Sequence, residues 1–548
     1  MKYQPPRYAV RPPAKSAAHH KVVVAGGGLV GLTLALDLAR RGIAVVLLDD
    51  DDTVSVGSRA ICFAKRTLEI YDRLGLGERL LEKGVTWNTG KIFFQEREIY
   101  AFDLLPESGH HYPAFVNLQQ YHVEEWLVEA CIAAGVDLRW KHRVASVVNH
   151  PDHVTLRIET PMGHYDLTCS WLLACDGARS TIREAMALPF VGRAFRDRFL
   201  IADVEMRAPF PSERWFWFDP PFHRGQSVLL HRQADDIWRI DFQLGPEADP
   251  EEERKPERVI PRIEAMLGAT PFTLDWVSVY TFRCRRLEKF VHGRVVFAGD
   301  AAHQVSPFGA RGGNGGVQDA DNLAWKLAAI LDGSGGESLL ASYDAERVFA
   351  ADENILHSTR STDFISPKSD AIRAYRDATL LLGERFEFAR RLVNSGRLSL
   401  PAILRASPLN DPASAGWDGA PAPGSPAIDA PVLDHGRRDW LLRHLGGRNF
   451  TLMAFAPVAD GVRAKLRAHG IETVVIADRG SGDGEASVLV DVEGMVKRRY
   501  GGREGGGILF RPDQHVASVM TRIDGDHVCA ARDHSLSGGC PAAAEISA

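Results

Sequence analysis

Apolar residues fall into short β-branched runs and helically spaced positions, with no long unbroken block. Lys21 to Ala25 reads as a strand ending in glycine. An Ala/Leu-rich helix follows and stops at Arg40, Arg41 and Gly42, and Ala44 to Leu48 forms a second strand that delivers Asp49. Val295 to Ala298 reads as another buried strand, and Val317 to Ile330 has helical spacing through Leu323, Leu327 and Ile330. Pro307 to Gly316 between them is too glycine-rich to be helical, which predicts a loop feeding a helix N-terminus. Ser227 to Arg232, a turn at Ala234-Asp235-Asp236, and Trp238 to Leu244 predict a hairpin. In its second strand Trp238, Ile240 and Phe242 alternate with Arg239, Asp241 and Gln243, so one face is apolar and the other polar. That polar face either meets solvent, the commoner arrangement in antiparallel sheets, or floors a pocket.

The elements imply an α/β chain of several domains. Residues 20–194 and 284–404 are expected to build one discontinuous, mostly parallel Rossmann-type domain with trailing helices. Residues 195–283 are strand-rich and aromatic, predicting an antiparallel domain, and the Pro/Ala/Gly-rich stretch 405–431 predicts a linker. Beyond it Phe450 to Pro457, Thr473 to Ala477, Ser487 to Asp491 and Gly507 to Phe510 read as strands with helices between them, within a last domain at 432–548. Residues 1–19 read as a disordered basic arm.

Chemistry enters with the glycines. Gly26, Gly28 and Gly31 have G-x-G-x-x-G spacing between strand and helix, where backbone can approach a pyrophosphate and free helix N–H groups can bind it. Asp49 follows Gly31 by eighteen positions, as a ribose-binding carboxylate should. Asp50, Asp51 and Asp52 beside it would repel a 2′-phosphate. This segment alone leaves FAD and NAD undecided.

Two further segments carry a family resemblance. Asp176-Gly177 is followed by Arg179, Ser180 and Arg183; Gly299-Asp300 is followed by Ala301, Ala302 and His303, then by Pro307, Gly309, Ala310, Gly312 and Asn314. Over about the first 390 residues the chain resembles the class A flavoprotein aromatic hydroxylases, the family of para-hydroxybenzoate, phenol and 3-(3-hydroxyphenyl)propionate hydroxylases. The resemblance implies FAD, with Asp176 in the cofactor site, Asp300 at the ribityl chain, and Pro307 to Asn314 beside the flavin ring. Backbone N–H groups of Gly313 and Asn314 would then face the negative charge of a reduced flavin. It also places Arg59 at the pyrophosphate, where a solvated surface arginine is the competing reading, and adds Gln120 and Arg239 as cofactor contacts. The 195–283 unit becomes the substrate domain, and the last domain resembles a thioredoxin-like module without C-x-x-C, suited to docking or dimerisation.

The activity implied is hydroxylation of a substituted phenol, hydroxyphenylpropionate or related aromatic by O₂ through a flavin C4a-hydroperoxide, with NADH or NADPH as transient donor. No second G-x-G-x-x-G follows a strand, so the nicotinamide has no domain of its own. A base must take the phenol proton, and His231 is the first candidate with Asp241 second. Oxygenative loss of nitro or halide is an alternative outcome of the same chemistry. A flavin halogenase is another, because Trp215-Phe216-Trp217-Phe218-Asp219-Pro220 echoes a W-x-W-x-I-P signature with Arg214 where a glycine would precede it. A non-catalytic flavoprotein scaffold is the third.

Composition narrows the partners. A net charge of -6 from 65 basic and 71 acidic residues gives no reason to expect nucleic acid or a membrane surface. Seven scattered cysteines without C-x-x-C predict neither a metal site nor a disulfide framework. A cytoplasmic homodimer taking a small aromatic substrate and O₂ is the resulting expectation.

Overall fold

The computed structural model describes residues 3–13, 18–57, 59–393, 398, 400–478 and 488–539; Ser58, Ser487 and Cys540 lie outside them. Val22, Val23 and Val24 have no exposed surface because the strand His19–Ala25 lies mid-sheet. A strand covered on both faces reads as a continuous apolar run. It pairs in parallel with Val45–Asp49 on one side and Gly163–Ala174 on the other, and these pair in turn with Asp137–Trp140 and Val295–Phe297. Helix Leu29–Arg40 packs against both Gln120–Ala133 and Gly312–Asp332 beside this Rossmann-type sheet.

The helix after the Pro307 loop begins at Gly312, five residues before its expected start, so much of the glycine run is helical after all. Close packing is the reason. A Cβ on Gly316 would stand 2.5 Å from Val30 Cγ2 and 3.2 Å from the Gly299 Cα, so the helix seats on its neighbours only with glycine there.

A second, eight-stranded sheet carries Phe190–Glu205, Arg214–Phe218, Ser227–Arg232, Ile237–Leu244 and Thr273–Leu287. The expected hairpin forms, with Asp235 and Asp236 both at positive φ in its turn. The 195–283 boundary is too narrow, however. Thr89–Phe94 and Arg97–Asp103 join this sheet from the first segment, and Thr89–Phe94 pairs in parallel with Arg214–Phe218, so the sheet is mixed.

The expected disordered arm is seated where it is described. Tyr3 stacks on Tyr121 with centroids 4.0 Å apart, Tyr8 stacks on Trp140 at 4.6 Å, and Arg7 and Arg11 pair with Asp52 and Asp137. Stacking of these rings opposes the entropy cost of ordering the arm.

The 405–431 segment is a belt rather than a free linker. Asp411, Ala415, Gly424 and Ala427 N–H groups donate to the carbonyls of Ala517, Val519, Val516 and Gln514, and Leu409 and Ala430 are fully buried. The C-terminal sheet runs Arg437–Trp440, Pro431–Asp434, Val488–Val490, Ile471–Ala477, Phe450–Ala454, Gly507–Phe510, Val516–Met520. A buried ionic network bolts it to the first domain. Arg511 donates to Glu346 at 2.6 Å and Asp513 at 2.6 Å, Lys326 donates to Glu346 at 2.7 Å, and Arg66 donates to the Asp513 carbonyl at 2.8 Å. Among the described residues no helix is long and apolar enough to cross a membrane.

Candidate active site

One cavity of about 850 Å³ opens where the two sheets meet. Its lining includes Gly26, Gly28, Asp49, Arg59, Gln120, Asp176, Asp300, Pro307, Gly313 and Asn314 from the first domain, and His231, Arg239 and Asp241 from the second sheet. Gly31 is the one sequence-predicted site residue outside the lining. A Cβ there would stand 1.9 Å from the Gly26 carbonyl oxygen, so its role is to let the helix approach the turn.

The Rossmann turn is held open by its own backbone. Gly26 has φ +109°, and a Cβ on it would lie 2.3 Å from the Cys175 carbonyl oxygen. The Gly27 and Asp51 N–H groups both donate to the Asp49 carboxylate. Burial pushes its pKa up to about 6 against those two bonds. Each carboxylate oxygen retains a further lone pair for a ribose hydroxyl. Glu124 escaped the sequence reading. Buried at this helix start, it accepts the Leu29 N–H at 3.1 Å, the Ser55 N–H at 2.7 Å and the Gln120 amide at 2.7 Å. Gln120 also accepts the Ala60 N–H, so its amide positions the loop that presents Arg59.

Asp176 accepts the Ile182 N–H through Oδ2, while its Oδ1 is buried without a partner. Arg183 ties this segment to the next: it donates to the Ala178 and Ala301 carbonyls, both at 3.0 Å. Asp300 opens onto the cavity. Enclosure by protein raises its pKa, and His303 and Arg59 oppose that rise. Asp319, also missed from sequence, anchors the same turn by accepting from the Gly299 N–H (3.0 Å) and Arg347 (2.6 Å) and pairing with His303 at 2.7 Å.

The Asn314 side chain staples the glycine loop to the strand Cys62–Ala64. It accepts from the Ala64 N–H and the Thr67 hydroxyl and donates to the Cys62 and Ala310 carbonyls. The helix it starts has no side-chain cap from Arg311 and no acid in its first turn, so its positive end faces the cavity.

FAD fits these residues: a glycine cradle that a Cβ would fill, an orphaned buried carboxylate oxygen on Asp176, arginines at the cavity wall, and a helix N-terminus at Gly312 without a side-chain cap.

On the second sheet the polar face floors the pocket. Trp238, Ile240 and Phe242 pack instead on the helix Pro256–Leu267. Arg239 pairs with Asp203 at 3.0 Å and donates to the Arg59 carbonyl at 2.9 Å, which couples the sheet to the cofactor loop. Asp241 is buried with Oδ1 unpartnered, and burial lifts its pKa to about 6 although Arg239 and Arg214 oppose the rise. His231 is buried with Nδ1 unpartnered. Burial, then Arg214 and Arg239, hold its pKa well below the usual imidazole value. Burial and the two arginines therefore favour the neutral imidazole, and His231 and Asp241 both line the cavity as candidate bases.

A family model described as an FAD binding domain matches residues 19–358. A 6-methylpretetramide 4-monooxygenase of Streptomyces rimosus is 31% identical over 526 residues, covering 92% of this chain and 91% of the relative. The chain belongs to the FAD-dependent aromatic hydroxylase family. A 3-(3-hydroxy-phenyl)propionate/3-hydroxycinnamic acid hydroxylase of Mycobacterium sp. (strain JLS) is 27% identical, covering 91% of this chain and 89% of the relative. A flavin-dependent monooxygenase solved with FAD and substrate shares the fold, with TM-score 0.76, 22% identity, and coverage of 94% of this chain and 98% of that one.

The enzyme is thus an FAD-dependent aromatic monooxygenase, and in this class NADH or NADPH supplies the electrons. Its relatives bear monooxygenase and hydroxylase names, which does not favour halogenation. The W-x-W echo has a structural explanation: Trp215 and Trp217 pack on the face of the sheet opposite the cavity, and Trp215 Nε1 bonds Glu213.

Proposed function

We propose that this monooxygenase hydroxylates a phenolic aromatic seated against the polar face of the second sheet, with Asp241 as the proton acceptor. The carrying observation is the Asp241 carboxylate: buried, lining the cavity, with one oxygen unpartnered and a pKa of about 6. Bound FAD, reduced by NADH or NADPH, supplies oxygen activation and transfer. The chain's own residues do the rest. Gly26, Asp49, Arg59, Asp176 and Asp300 would hold the cofactor, and the first-turn N–H groups at Gly313 and Asn314 would offer donors to negative charge on it. Phe282 and Phe308 wall the pocket against water, their centroids 5.5 Å apart. Asp241 Oδ1 takes the ring hydroxyl proton, which raises electron density at the carbons beside and opposite it.

The name of the 3-(3-hydroxy-phenyl)propionate/3-hydroxycinnamic acid hydroxylase supports a hydroxyphenylpropionate or related phenol as substrate class. The C-terminal connectivity supports a thioredoxin-like module: Phe450–Ala454 and Ile471–Ala477 are parallel across the helix Asp460–Ala468, and the antiparallel pair Gly507–Phe510 and Val516–Met520 precedes the helix Gly525–Leu536. Exposed Phe349, Leu356, Tyr375, Phe388 and Leu392 on the trailing helices support a homodimer, readable by light scattering. For the activity, purified enzyme should be yellow with FAD and should oxidise NADH or NADPH faster with a phenol, yielding a diol. Oxidation that no aromatic accelerates would overturn the proposal.

A further inference from the structure

The amino-terminal arm lands on three elements of the first domain. The Tyr8 N–H donates to the Asp52 carbonyl at 2.8 Å, its ring stacks on Trp140 at 4.6 Å, and Val10 forms a parallel bridge with Trp140. The Arg11 carbonyl accepts from His142 Nε2 at 3.0 Å, while the Arg11 side chain pairs with Asp137 at 2.6 Å. Tyr3 stacks on Tyr121 at 4.0 Å, and its hydroxyl donates to Glu125 at 2.9 Å on the first turns of the helix Gln120–Ala133.

All three landing points adjoin one end of the cavity, where Asp49, Asp50, Gln120, Glu124 and His142 line the wall. The strand Val45–Asp49 runs out into four successive aspartates, 49 to 52, whose charges repel one another. The carbonyls of Asp49 and Asp51 accept the N–H groups of His142 and Lys141 at 2.7 and 2.9 Å, and the carbonyl of Asp52 accepts that of Tyr8. The acidic turn is thus held on one side by the chain leaving the strand Asp137–Trp140 and on the other by the arm, which also brings Arg7 to Asp52. Arg7 is largely exposed and its pair is worth little, so the stacked rings and backbone bonds carry the attachment.

His142 feels the arm directly. A carbonyl can only accept, so Nε2–H donates to Arg11, and Nδ1 accepts the Tyr165 hydroxyl at 2.9 Å. With both nitrogens engaged, this cavity-lining ring cannot turn without breaking its bond to the arm.

We infer that residues 3–11 are a strap of the cofactor site, in which Tyr8 and the Arg11 carbonyl are positioning groups that fix Asp49 and His142 at the adenosine end and so raise the affinity for FAD. The strap acts on the cofactor alone, so the inference stands apart from the choice of aromatic substrate and of base.

Titration of apoprotein with FAD, followed by flavin fluorescence, tests it on the full chain, a variant lacking residues 2–12, Tyr8→Ala and Tyr8→Phe, with circular dichroism confirming that each is folded. The deletion should raise the FAD dissociation constant by roughly tenfold or more and Tyr8→Ala by a smaller factor, whereas Tyr8→Phe, which keeps the stacked ring, should match wild type. At saturating FAD the visible flavin bands of every variant should coincide with those of wild type, because the strap touches only the adenosine end; a generally loosened fold would shift them. Should the deletion not fold, Tyr8→Ala and Tyr8→Phe decide. The inference is overturned if either the deletion or Tyr8→Ala, folded, binds FAD as tightly as wild type, if Tyr8→Phe falls with Tyr8→Ala, or if the flavin bands shift along with the affinity.

Discussion

Replacing Asp241 with Asn should slow the enzyme and stabilise it at once. Burial lifts the carboxyl pKa from 3.8 to about 6, so keeping the side chain ionised in the folded protein opposes folding. About two pKa units correspond to ~3 kcal/mol. A raised folded-state pKa means that the native state binds more protons than the unfolded chain between about pH 4 and 6. Stability contributed by the protonated acid is therefore full below pH 4 and lost as pH rises through 6. Asn does not titrate, so the advantage of Asp241→Asn over wild type should grow by roughly 1–3 kcal/mol across that window and stay level above it. Urea unfolding of the holoenzyme at pH 4.5, 6 and 7.5 reads this directly. The rate should move oppositely: loss of a positioned base costs roughly 10²–10⁴-fold. Wild-type hydroxylation should fall about tenfold per pH unit below 6, a limb that Asp241→Asn should lack. A stability difference that is flat with pH, or a variant that keeps the acid limb, would refute the assignment.

Further outcomes follow from the same geometry. His231→Gln should keep the acid limb near pH 6 in the pH–rate profile, because the imidazole is already neutral there, and should slow hydroxylation less than Asp241→Asn. Gly26→Ala drives a Cβ into the Cys175 carbonyl at positive φ, a strain of at least roughly 1–3 kcal/mol, and should weaken FAD retention on gel filtration by roughly tenfold or more. Glu346→Gln removes the counter-charge of buried Lys326 and Arg511 and should destabilise the protein by roughly 3–5 kcal/mol in thermal or urea unfolding.

The cofactor half was legible because it is local. The strand at Val22 to Val24, the Gly26 turn and Asp49 lie within thirty residues, and periodicity and glycine spacing report such segments directly. Glu124 and Asp319 were not legible, since a single acid in a helix says nothing of the distant N–H groups it will accept. The glycine run misled for a related reason: propensity argues against helix at Gly312 to Gly316, and packing on Val30 overrides it. For the hairpin, alternation at 238–244 found two faces without saying which was wet. The cavity, built from the first domain and the sheet together, decides that. For His231, the residue type alone says nothing of the burial, or of the neighbouring Arg214 and Arg239, that lower its pKa.

The ionic bolt at Glu346 also constrains how this protein can be recombined. Arg511 and Asp513 belong to the C-terminal domain, whereas Arg66, Asn322, Lys326 and Glu346 belong to the first, and all six meet with almost no exposed surface. A chimera that exchanged the C-terminal domain for a relative's would have to carry these six positions as one heritable block. Otherwise a charge would be stranded directly beneath the helix that begins at the flavin loop.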